Sequence, residues 1–298
     1  MMKMKLLIIV ALAALGSAAR ADGGPIPLWS GKPPRARDAA PPETVDPNGR
    51  IRSVSVPSIV LYLPAPQECP AMAIIVCAGG GYGTLDWKTH VTYAADVFNP
   101  LGVAVIGLKY RLRPPNGRTN DEIREITLLD AKRAMRTVRH RAAEWGIDPR
   151  RIGIAGYSAG ANLAMNLAAN FDAGAASAAD PIERESSRPD FAVGLATWHW
   201  REKHSPFTFR KDAPPVFLVH ATNDGINGGA PIELPRAIKA DLEKLGVPVR
   251  MMEFDEGGHG VGNLIPQRVA HGFPPAKWPQ HLLGWLDGVL GKPIPKKP

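Results

Sequence analysis

Cysteine is scarce in this sequence, with two residues among 298. They stand at positions 69 and 77, and residues 71–77 form an apolar run of the strand type. A strand of that length spans roughly 20 Å at ~3.3 Å per residue, whereas the α-carbons of a disulfide lie within about 7 Å of each other. We therefore expect no bond between Cys69 and Cys77. Cysteine and histidine also form no cluster spaced for zinc, so no metal is predicted.

Signatures of nucleotide and nucleic-acid binding are missing as well. A glycine-rich run at residues 79–83 follows a strand pattern, but its glycines lack the Gly-x-Gly-x-x-Gly spacing of a dinucleotide site. No Walker-type lysine is present. The formal charge of +8 is not gathered into a basic stripe interleaved with aromatic residues. The sequence therefore predicts no cofactor and no nucleic-acid partner.

Long apolar runs are confined to the amino terminus. Two lysines occur in residues 1–5, residues 6–15 are apolar, and Ala19-Arg20-Ala21 matches the cleavage pattern of a secretory signal peptide. The apolar run is shorter than the ~20 residues that cross a bilayer, which disfavours a retained anchor. We predict a signal peptide at residues 1–21, export to the periplasm or the medium, and no membrane span after cleavage. Cleavage would lower the net charge from +8 to +5.

Strand-like and helix-like patterns alternate through most of the chain, which indicates one α/β domain with a mainly parallel central sheet and helices on both faces. We place this domain at residues 51–291, after an extended amino-terminal arm at 22–50 and before a disordered tail at 292–298. The clearest helix pattern covers residues 121–145. An alanine-rich and charged insertion at 172–188 is expected to form a small lid or surface excursion above the serine turn described next.

The most informative motif is Gly156-Tyr157-Ser158-Ala159-Gly160, which stands between a strand pattern and a helix pattern. A serine between two glycines at such a turn is typical of the nucleophile elbow. Side chains at positions 156 and 160 would clash with neighbouring structure, and glycine removes the clash. The turn also directs the hydroxyl to a helix amino terminus, where developing negative charge is stabilised. A chance match in a chain with 30 glycines is the alternative.

A serine nucleophile needs a base and an orienting acid, which in this architecture follow it in the order acid, then histidine. Asp224 comes just after a strand pattern at residues 215–220, and His259 lies in a glycine-rich loop after another at 249–254. We predict His259 as the base and Asp224 as the acid. The rival acids are Asp255, Glu256 and Asp241, and the other histidines are His90, His140, His199, His204, His220, His271 and His281. His90, His199, His204, His271 and His281 have no glycine-rich loop following a strand. His140 lies in a charged helical stretch and is expected to be solvated, and His220 is expected to be a packed structural residue.

With these motifs in place, the chain resembles the α/β-hydrolase superfamily, and within it the secreted esterases and lipases that include acetylxylan and feruloyl esterase-type enzymes. The likeness covers about residues 55–287 and is carried by the stretches 79–82, 108–114, 141–149, 187–191 and 257–260. The resemblance implies an α/β-hydrolase fold with nucleophile Ser158, acid Asp224 and base His259. It further implies oxyanion donors from the amides of Gly79, Gly80 and Ala159, with Gly81 as an alternative to Gly79.

Two segments depart from the pattern of these relatives. The Val-Pro pair that often follows the acid is replaced by the sequence at 225–231, and the segment between Phe191 and Pro215 is short and contains Trp198-His199-Trp200. Such segments shape the substrate pockets. The leading hypothesis is an exported serine carboxylesterase that hydrolyses short-acyl esters, such as acetyl groups on xylan-type polysaccharide, by the Ser158, Asp224 and His259 set. The alternatives are a general carboxylesterase, a serine peptidase of the same fold, and a catalytically inert binding protein.

Overall fold

Apolar, mostly β-branched runs build the central sheet of the protein, seen here in a computed structural model. The structure describes residues 21–36, 41–66, 71–114, 119–200, 205–225 and 230–291. The eleven strands found in these residues are β1 (Ile26–Pro27), β2 (Thr44–Val45), β3 (Arg50–Arg52), β4 (Ser58–Tyr62), β5 (Ala71–Cys77), β6 (Leu85–Asp86), β7 (Val103–Lys109), β8 (Ile147–Tyr157), β9 (Ala192–Leu195), β10 (Val216–Ala221) and β11 (Val249–Phe254).

The helices of the same residues connect and flank these strands. The α-helices are α1 (Tyr93–Phe98), α2 (Asn120–His140), α3 (Ala159–Asn170), α4 (Glu233–Lys244), α5 (Pro266–Ala270) and α6 (Trp278–Leu290). A π-helical turn covers Lys88–Thr92, and 3₁₀ turns cover Asn99–Leu101, Pro181–Arg184, Gly258–Gly260 and Pro274–Lys277. Helical structure covers the crossovers from β5 to β7, β7 to β8, β8 to β9 and β10 to β11, whereas the described residues between β9 and β10 form loops.

The main sheet has the order β1-β4-β7-β5-β8-β9-β10-β11, and the six strands from β7 to β11 in this order run parallel. Strands β4 and β1 add an antiparallel edge. A smaller antiparallel sheet has the order β2-β3-β6. Helices α2 and α3 pack against each other, and α1 meets α6 through the rings of Phe98 and Trp278, 5.4 Å apart. The architecture confirms the predicted α/β fold class.

The core lies on both sides of β5, β7 and β8, whose apolar side chains are almost all buried. Cys77 ends β5 and is a buried free cysteine. Cys69 lies outside the described residues, as do the predicted signal peptide up to residue 20 and the tail from residue 292. Among the described residues, no helix has the length and apolar character to cross a membrane.

The predicted amino-terminal arm is partly built into the fold. Residues 26–27 pair with β4 and so extend the main sheet by one strand. Leu28 is buried, and its carbonyl accepts a hydrogen bond from Arg133 Nε of α2 at 2.8 Å. Trp29 lies beneath the guanidinium groups of Arg111 and Arg133. These contacts anchor the segment along one edge of the sheet and over α2.

Helix α2 begins at a capping box in which Thr119 and Glu122 satisfy each other's backbone amides. The helix ends at His140, earlier than the predicted residue 145. Residues 141–146 continue as turns that close in a Schellman motif, in which the amide of Ile147 donates to Ala142 O and that of Gly146 to Ala143 O. Gly146 has φ +64°, so it terminates the helical path.

The insertion at residues 172–188 is a surface excursion. The prediction that it lies above Ser158 is wrong. Its acidic side chains pair with α2: Glu183 with Arg133 and Arg136 at 2.7 and 2.9 Å, and Asp180 with Arg133 at 2.6 Å. Arg139 of the same helix face donates to Pro149 O near the start of β8. Ser158 follows the other end of β8. The ion pairs with Arg133 and Arg136 therefore hold the insertion at the sheet edge where β8 begins, away from the serine.

Candidate active site

Ser158 occupies the single residue between β8 and α3. Its backbone angles are φ 53° and ψ −117°, outside the regions that residues with side chains prefer. The amide of Ser158 donates to Leu195 O at 2.9 Å, and its carbonyl accepts from Asn162 N at 3.0 Å. These bonds hold the strained turn between neighbouring strand and helix, and the arrangement is that of a nucleophile elbow.

The two glycines of the motif are required by close backbone packing. A Cβ on Gly156 would overlap the carbonyl of Gly160, and a Cβ on Gly160 would overlap the carbonyl of Cys77. Neither glycine has a positive φ, so the requirement is steric and not conformational. The structure thus confirms the prediction that side chains at positions 156 and 160 would clash with neighbouring backbone.

One continuous chain of hydrogen bonds joins the three residues predicted as nucleophile, base and acid. His259 Nε2 lies 2.8 Å from Ser158 Oγ, and His259 Nδ1 lies 2.9 Å from Asp224 Oδ2. The His259 side chain is 40% exposed, whereas the Asp224 side chain is fully buried. The histidine is therefore accessible from solvent, while the carboxylate stays shielded from water.

The Asp224 carboxylate is held in place by backbone amides of its own loop. Its Oδ1 accepts from Gly225 N at 2.8 Å and from Ala230 N at 3.0 Å. His220 is fully buried beside it and contacts Ala230 O at 3.1 Å through Nε2. Burial is the main reason that the pKa of His220 is lowered, which keeps this ring neutral and structural, in line with the sequence prediction.

The loop that carries His259 turns back over the sheet through two left-handed glycines, Gly257 at φ 107° and Gly258 at φ 52°. The Gly258 amide donates to Asn223 Oδ1 at 2.9 Å, which ties this loop to the loop of the acid. Further along, Gly262 O accepts from Tyr157 Oη and from Trp278 Nε1, both at 2.8 Å. The base is thereby fixed to the strand that precedes the serine.

The rival acids predicted from the sequence lie elsewhere. Asp255 contacts Thr222 Oγ1 at 3.3 Å, and Asp241 pairs with Lys244 on α4 at 3.7 Å. Within the part of the chain that the structure describes, Asp224 is the carboxylate that hydrogen-bonds His259. The described residues also contain no group of three or more histidine, cysteine or acidic side chains that could hold a metal ion.

The glycine-rich loop lies against the elbow, but one of its predicted oxyanion donors is already occupied. The Gly79 amide donates to His90 Nδ1 at 3.1 Å, so it is not available to a substrate oxygen. This finding corrects the expected role of Gly79. Among the described residues, no acceptor pairs with the amides of Gly80, Gly81 or Ala159, and these three remain the candidate donors.

His90 is a site residue that the sequence did not reveal. It lies in the π-helical turn Lys88–Thr92, without the glycine-rich loop after a strand that singled out His259. Its ring stacks on Tyr157 with 4.3 Å between centroids and 14° between planes. The contact arises from the return of the chain after β6, and no local sequence signal marks it.

A second buried network lies behind the elbow. Tyr82 Oη donates to Asn162 Oδ1 at 2.8 Å, and Asn162 Nδ2 contacts His199 Nδ1 at 2.9 Å. Burial is the main cause that lowers the pKa of His199 to about 4, so the ring accepts this hydrogen bond in its neutral form. The network connects the glycine loop, α3 and the loop that follows β9.

The loop after β9 contributes an aromatic wall next to the serine. Trp198 N donates to Ser158 O at 3.4 Å, and the rings of Trp198 and Trp200 lie 5.0 Å apart. Trp200 in turn stacks on Tyr82 at 5.8 Å. Trp200 has φ 41°, so the chain turns sharply where it presents these rings. Both indoles are partly exposed and offer flat apolar surface to a ligand.

Comparison with known proteins shows similarity to several esterases. Residues 59–195 match the BD-FAE family. The chain is 38% identical over 99 residues to an acetylxylan esterase of Xylanibacter ruminicola, a match covering 33% of this chain and 19% of that protein. It is 38% identical over 114 residues to an ethyl acetate hydrolase of Pseudomonas putida, covering 36% of this chain and 33% of that protein. The chain thus matches a third or less of the length of these relatives.

The fold is shared more widely than the sequence. The crystal structure of an acetyl ester-xyloside bifunctional hydrolase from Caldicellulosiruptor lactoaceticus superposes with a TM-score of 0.69 at 26% identity, covering 90% of this chain and 97% of that one. The family match includes the glycine loop and Ser158 and ends before Asp224 and His259. Together these findings confirm the resemblance predicted from the sequence.

Proposed function

We propose, from the premise that the chain is an α/β hydrolase of the esterase type, that it is a serine carboxylesterase for short-acyl esters. The observation that carries the proposal is the unbroken hydrogen-bond chain Asp224–His259–Ser158 at the elbow. Among the described residues, the nearby amides of Gly80, Gly81 and Ala159 have no acceptor. In this proposal Ser158 is the nucleophile, His259 the general base and Asp224 the group that orients the imidazole. The activity of the relatives supports the same chemistry.

The first half of the reaction forms an acyl-enzyme. Ser158 Oγ bonds to the ester carbonyl carbon while its proton moves to His259 Nε2. The tetrahedral intermediate then collapses, the bond to the alcohol oxygen breaks, and the departing alcohol takes the proton from His259. Asp224 accepts from His259 Nδ1–H throughout and stabilises the positively charged ring.

The second half returns the enzyme to its starting state. His259 removes a proton from water as the water oxygen attacks the acyl carbon. The acyl–Oγ bond breaks, the acid leaves, and Ser158 Oγ regains its proton from His259. The negative oxygen of both intermediates is stabilised by the amides of Ala159 and of Gly80 or Gly81. Removal of one such donor costs about 3–4 kcal/mol of barrier in a comparable enzyme.

Acetyl groups on xylan-type polysaccharide are the proposed natural substrate. Two relatives are named for acetylated xylan or xyloside substrates and a third for ethyl acetate. The Trp198–Trp200 wall supports this choice because indole rings stack favourably on the apolar face of a sugar ring. The predicted signal peptide would export the enzyme to the compartment in which such a polymer occurs.

The test is acetate release from acetylated xylan, measured beside an activated acetate ester. We expect the wild-type protein to hydrolyse both and Ser158→Ala to lose about 10⁴-fold or more in kcat. Ser30→Ala, on the exposed amino-terminal segment, is the matched control and should retain full activity. Thermal unfolding of all three proteins shows that each is folded.

Each alternative predicts a different result. Hydrolysis of the activated ester alone would retain the mechanism and indicate a general carboxylesterase. Cleavage of peptides in preference to esters would indicate a serine peptidase. No turnover and no labelling of Ser158 by a fluorophosphonate would contradict catalysis and favour a binding protein.

A further inference from the structure

We propose that His90 is a positioning residue of the oxyanion loop, which it holds against the elbow by accepting the Gly79 amide proton. The inference rests on the proposed esterase function and assigns a role that the serine, histidine and aspartate do not cover. Its basis is the contact between His90 Nδ1 and Gly79 N, 3.1 Å apart. His90 does not touch the reacting atoms in this role, so it acts through the loop.

Gly79 is the residue of the loop that packs against the nucleophile. A Cβ built on it would lie 2.9 Å from Tyr157 O and 3.2 Å from both Ser158 Cβ and His90 Cε1. Its carbonyl accepts from Asp86 N at 2.9 Å. Both polar backbone groups of Gly79 are therefore fixed, one by the side chain of His90 and one by β6. The direction of the amides that follow, those of Gly80 and Gly81, depends on this anchor.

The imidazole is itself held rigidly. It stacks on the ring of Tyr157, and Tyr157 Oη donates to Gly262 O in the loop that carries His259. The ring of His90 thus connects the glycine loop to the strand before the serine and, through Tyr157, to the loop of the base. A change at this ring is expected to alter the geometry of the oxyanion donors more than the binding of substrate.

The His90 ring stays neutral at neutral pH, where the proposed esterase would act. Burial is the largest cause that lowers the pKa of His90 to about 4, with further lowering by His259 and Arg50 against opposition from Asp86 and Asn263. A neutral imidazole has one nitrogen that accepts a hydrogen bond. Because Nδ1 takes the Gly79 amide, the proton resides on Nε2, and His90 has no free lone pair with which to act as a second base.

Three substitutions of His90 distinguish the effect of its hydrogen-bond acceptor from the effect of its aromatic ring. His90→Asn keeps an oxygen acceptor near the position of Nδ1, His90→Leu has a similar size without any acceptor, and His90→Phe keeps an aromatic ring for Tyr157. The measurement is kcat and KM for an activated acetate ester, together with the rate at which a fluorophosphonate labels Ser158. Thermal midpoints establish that each variant is folded.

We expect His90→Leu and His90→Phe to lose about 10- to 100-fold in kcat, less than the about 10²- to 10³-fold of deleting a donor. KM should change by less than about threefold, since a misplaced oxyanion donor affects the transition state and not the bound substrate. His90→Asn should recover most of the lost kcat. Fluorophosphonate labelling should slow in the same order because charge also develops on the phosphoryl oxygen.

Several outcomes would overturn the inference. Unchanged kcat in both the Leu and the Phe variant would show that the acceptor has no role, and so would an equal loss in all three variants. A rise in KM with normal kcat would assign His90 to substrate binding. If the wild-type protein neither turns over esters nor labels at Ser158, the proposed function itself has failed, a result that the variants cannot mimic.

The tautomer of His90 gives a readout that does not depend on activity. Nitrogen-15 NMR of the wild-type protein distinguishes an unprotonated Nδ1 from a protonated one. We expect the His90 ring to be protonated at Nε2 and unprotonated at Nδ1 from neutral pH down to about pH 5. A proton on Nδ1 at neutral pH would exclude the hydrogen bond from Gly79 and overturn the inference.

Discussion

At the scale of single residues, the site depends on a backbone conformation at Ser158 that its own sequence does not favour. A positive φ at a residue with a side chain is strained by about 1–3 kcal/mol and persists only where the surroundings enforce it. Here the enforcing contacts come from Leu195 O and Asn162 N on either side of the turn. The position of the hydroxyl is therefore a property of the packed sheet and helix.

Gly160 allows a direct test of this packing. Gly160→Ala would place a methyl group onto the carbonyl of Cys77, so we expect destabilisation of several kcal/mol or loss of the elbow geometry. Gly284 is the matched control because it is an exposed glycine within α6 whose added Cβ would meet no atom within 4 Å. Gly284→Ala should stabilise the protein by about 0.5–1 kcal/mol.

Chemical denaturation of both glycine variants checks this prediction. The esterase assay reports separately on the elbow, which Gly284→Ala should leave intact. An unchanged unfolding free energy and an unchanged kcat in Gly160→Ala would show that α3 can shift away from β5 at no cost.

At the scale of secondary-structure elements, α2 is joined to the end of β7 by a buried ion pair. Asp130 Oδ1 lies 2.6 Å from Arg111 Nη2, and Asp130 Oδ2 also accepts the Arg111 amide at 2.9 Å. Both side chains are buried. Arg111 further donates to Pro34 O at 2.6 Å, so the same guanidinium fastens the amino-terminal segment. One pair thus connects a strand, a helix and the arm.

Removal of the negative charge should weaken all three attachments. We expect Asp130→Asn to lower the unfolding free energy by about 3–5 kcal/mol because the buried guanidinium loses its counter-charge. The matched control is Glu144→Gln, which breaks the exposed pair with Arg141 and should leave the denaturation midpoint nearly unchanged. Equal changes in unfolding free energy for the two substitutions would contradict the conclusion that the Arg111–Asp130 pair holds the strand, the helix and the arm together.

Much of the element pattern was predictable because it depends on local sequence. The strands at 71–77 and 249–254 were predicted with the bounds that the structure has, and the turn at Ser158 followed from its glycines. Predictions that depended on the fold as a whole were less accurate. The insertion at 172–188 was placed above Ser158, whereas its charges pair with arginines of α2 that are distant in sequence.

The site shows the same division. Asp224 and His259 were found because each follows a strand at the same sheet edge, a local pattern that topology converts into proximity. His90 was missed, and Gly79 was assigned a free amide, because one hydrogen bond between them forms only when the chain folds back. Whether a backbone amide is available to a substrate depends on such tertiary contacts, and composition and periodicity do not predict them.

At the scale of the whole molecule, stability should depend on acid through buried neutral histidines, of which His90 and His199 have the pKa values lowered furthest. The pKa values of His90 and His199 are lowered from 6.5 to about 4, chiefly by burial. For His199, Arg124 adds to the lowering and Asp121 opposes it. The unfolded chain binds protons at these rings below about pH 6.5, whereas the folded protein does not until about pH 4. The stabilisation is thus complete above pH 6.5 and is lost as pH falls toward 4.

Denaturation curves measured over a series of pH values test whether the unfolding free energy decreases as the pH falls. Between about pH 6 and 4.5, each ring should lower the unfolding free energy by up to about 1.4 kcal/mol per pH unit. His199→Gln removes one of the two rings and should reduce the slope by that amount, whatever its effect at neutral pH. The same slope in the variant and the wild-type protein would contradict a neutral His199 in the folded state.

The position of Cys77 has a consequence for how opening of the molecule can be followed in time. The thiol ends β5, which lies between β7 and β8 in the middle of the sheet, and burial raises its pKa well above the ordinary value. Because only an exposed thiolate attacks a thiol reagent, fraying at the sheet edges leaves this sulfur unmodified. In a Cys69→Ser background, the rate of its modification under native conditions would report the opening of the central strands. The protein therefore contains its own kinetic probe of the layer that supports the elbow.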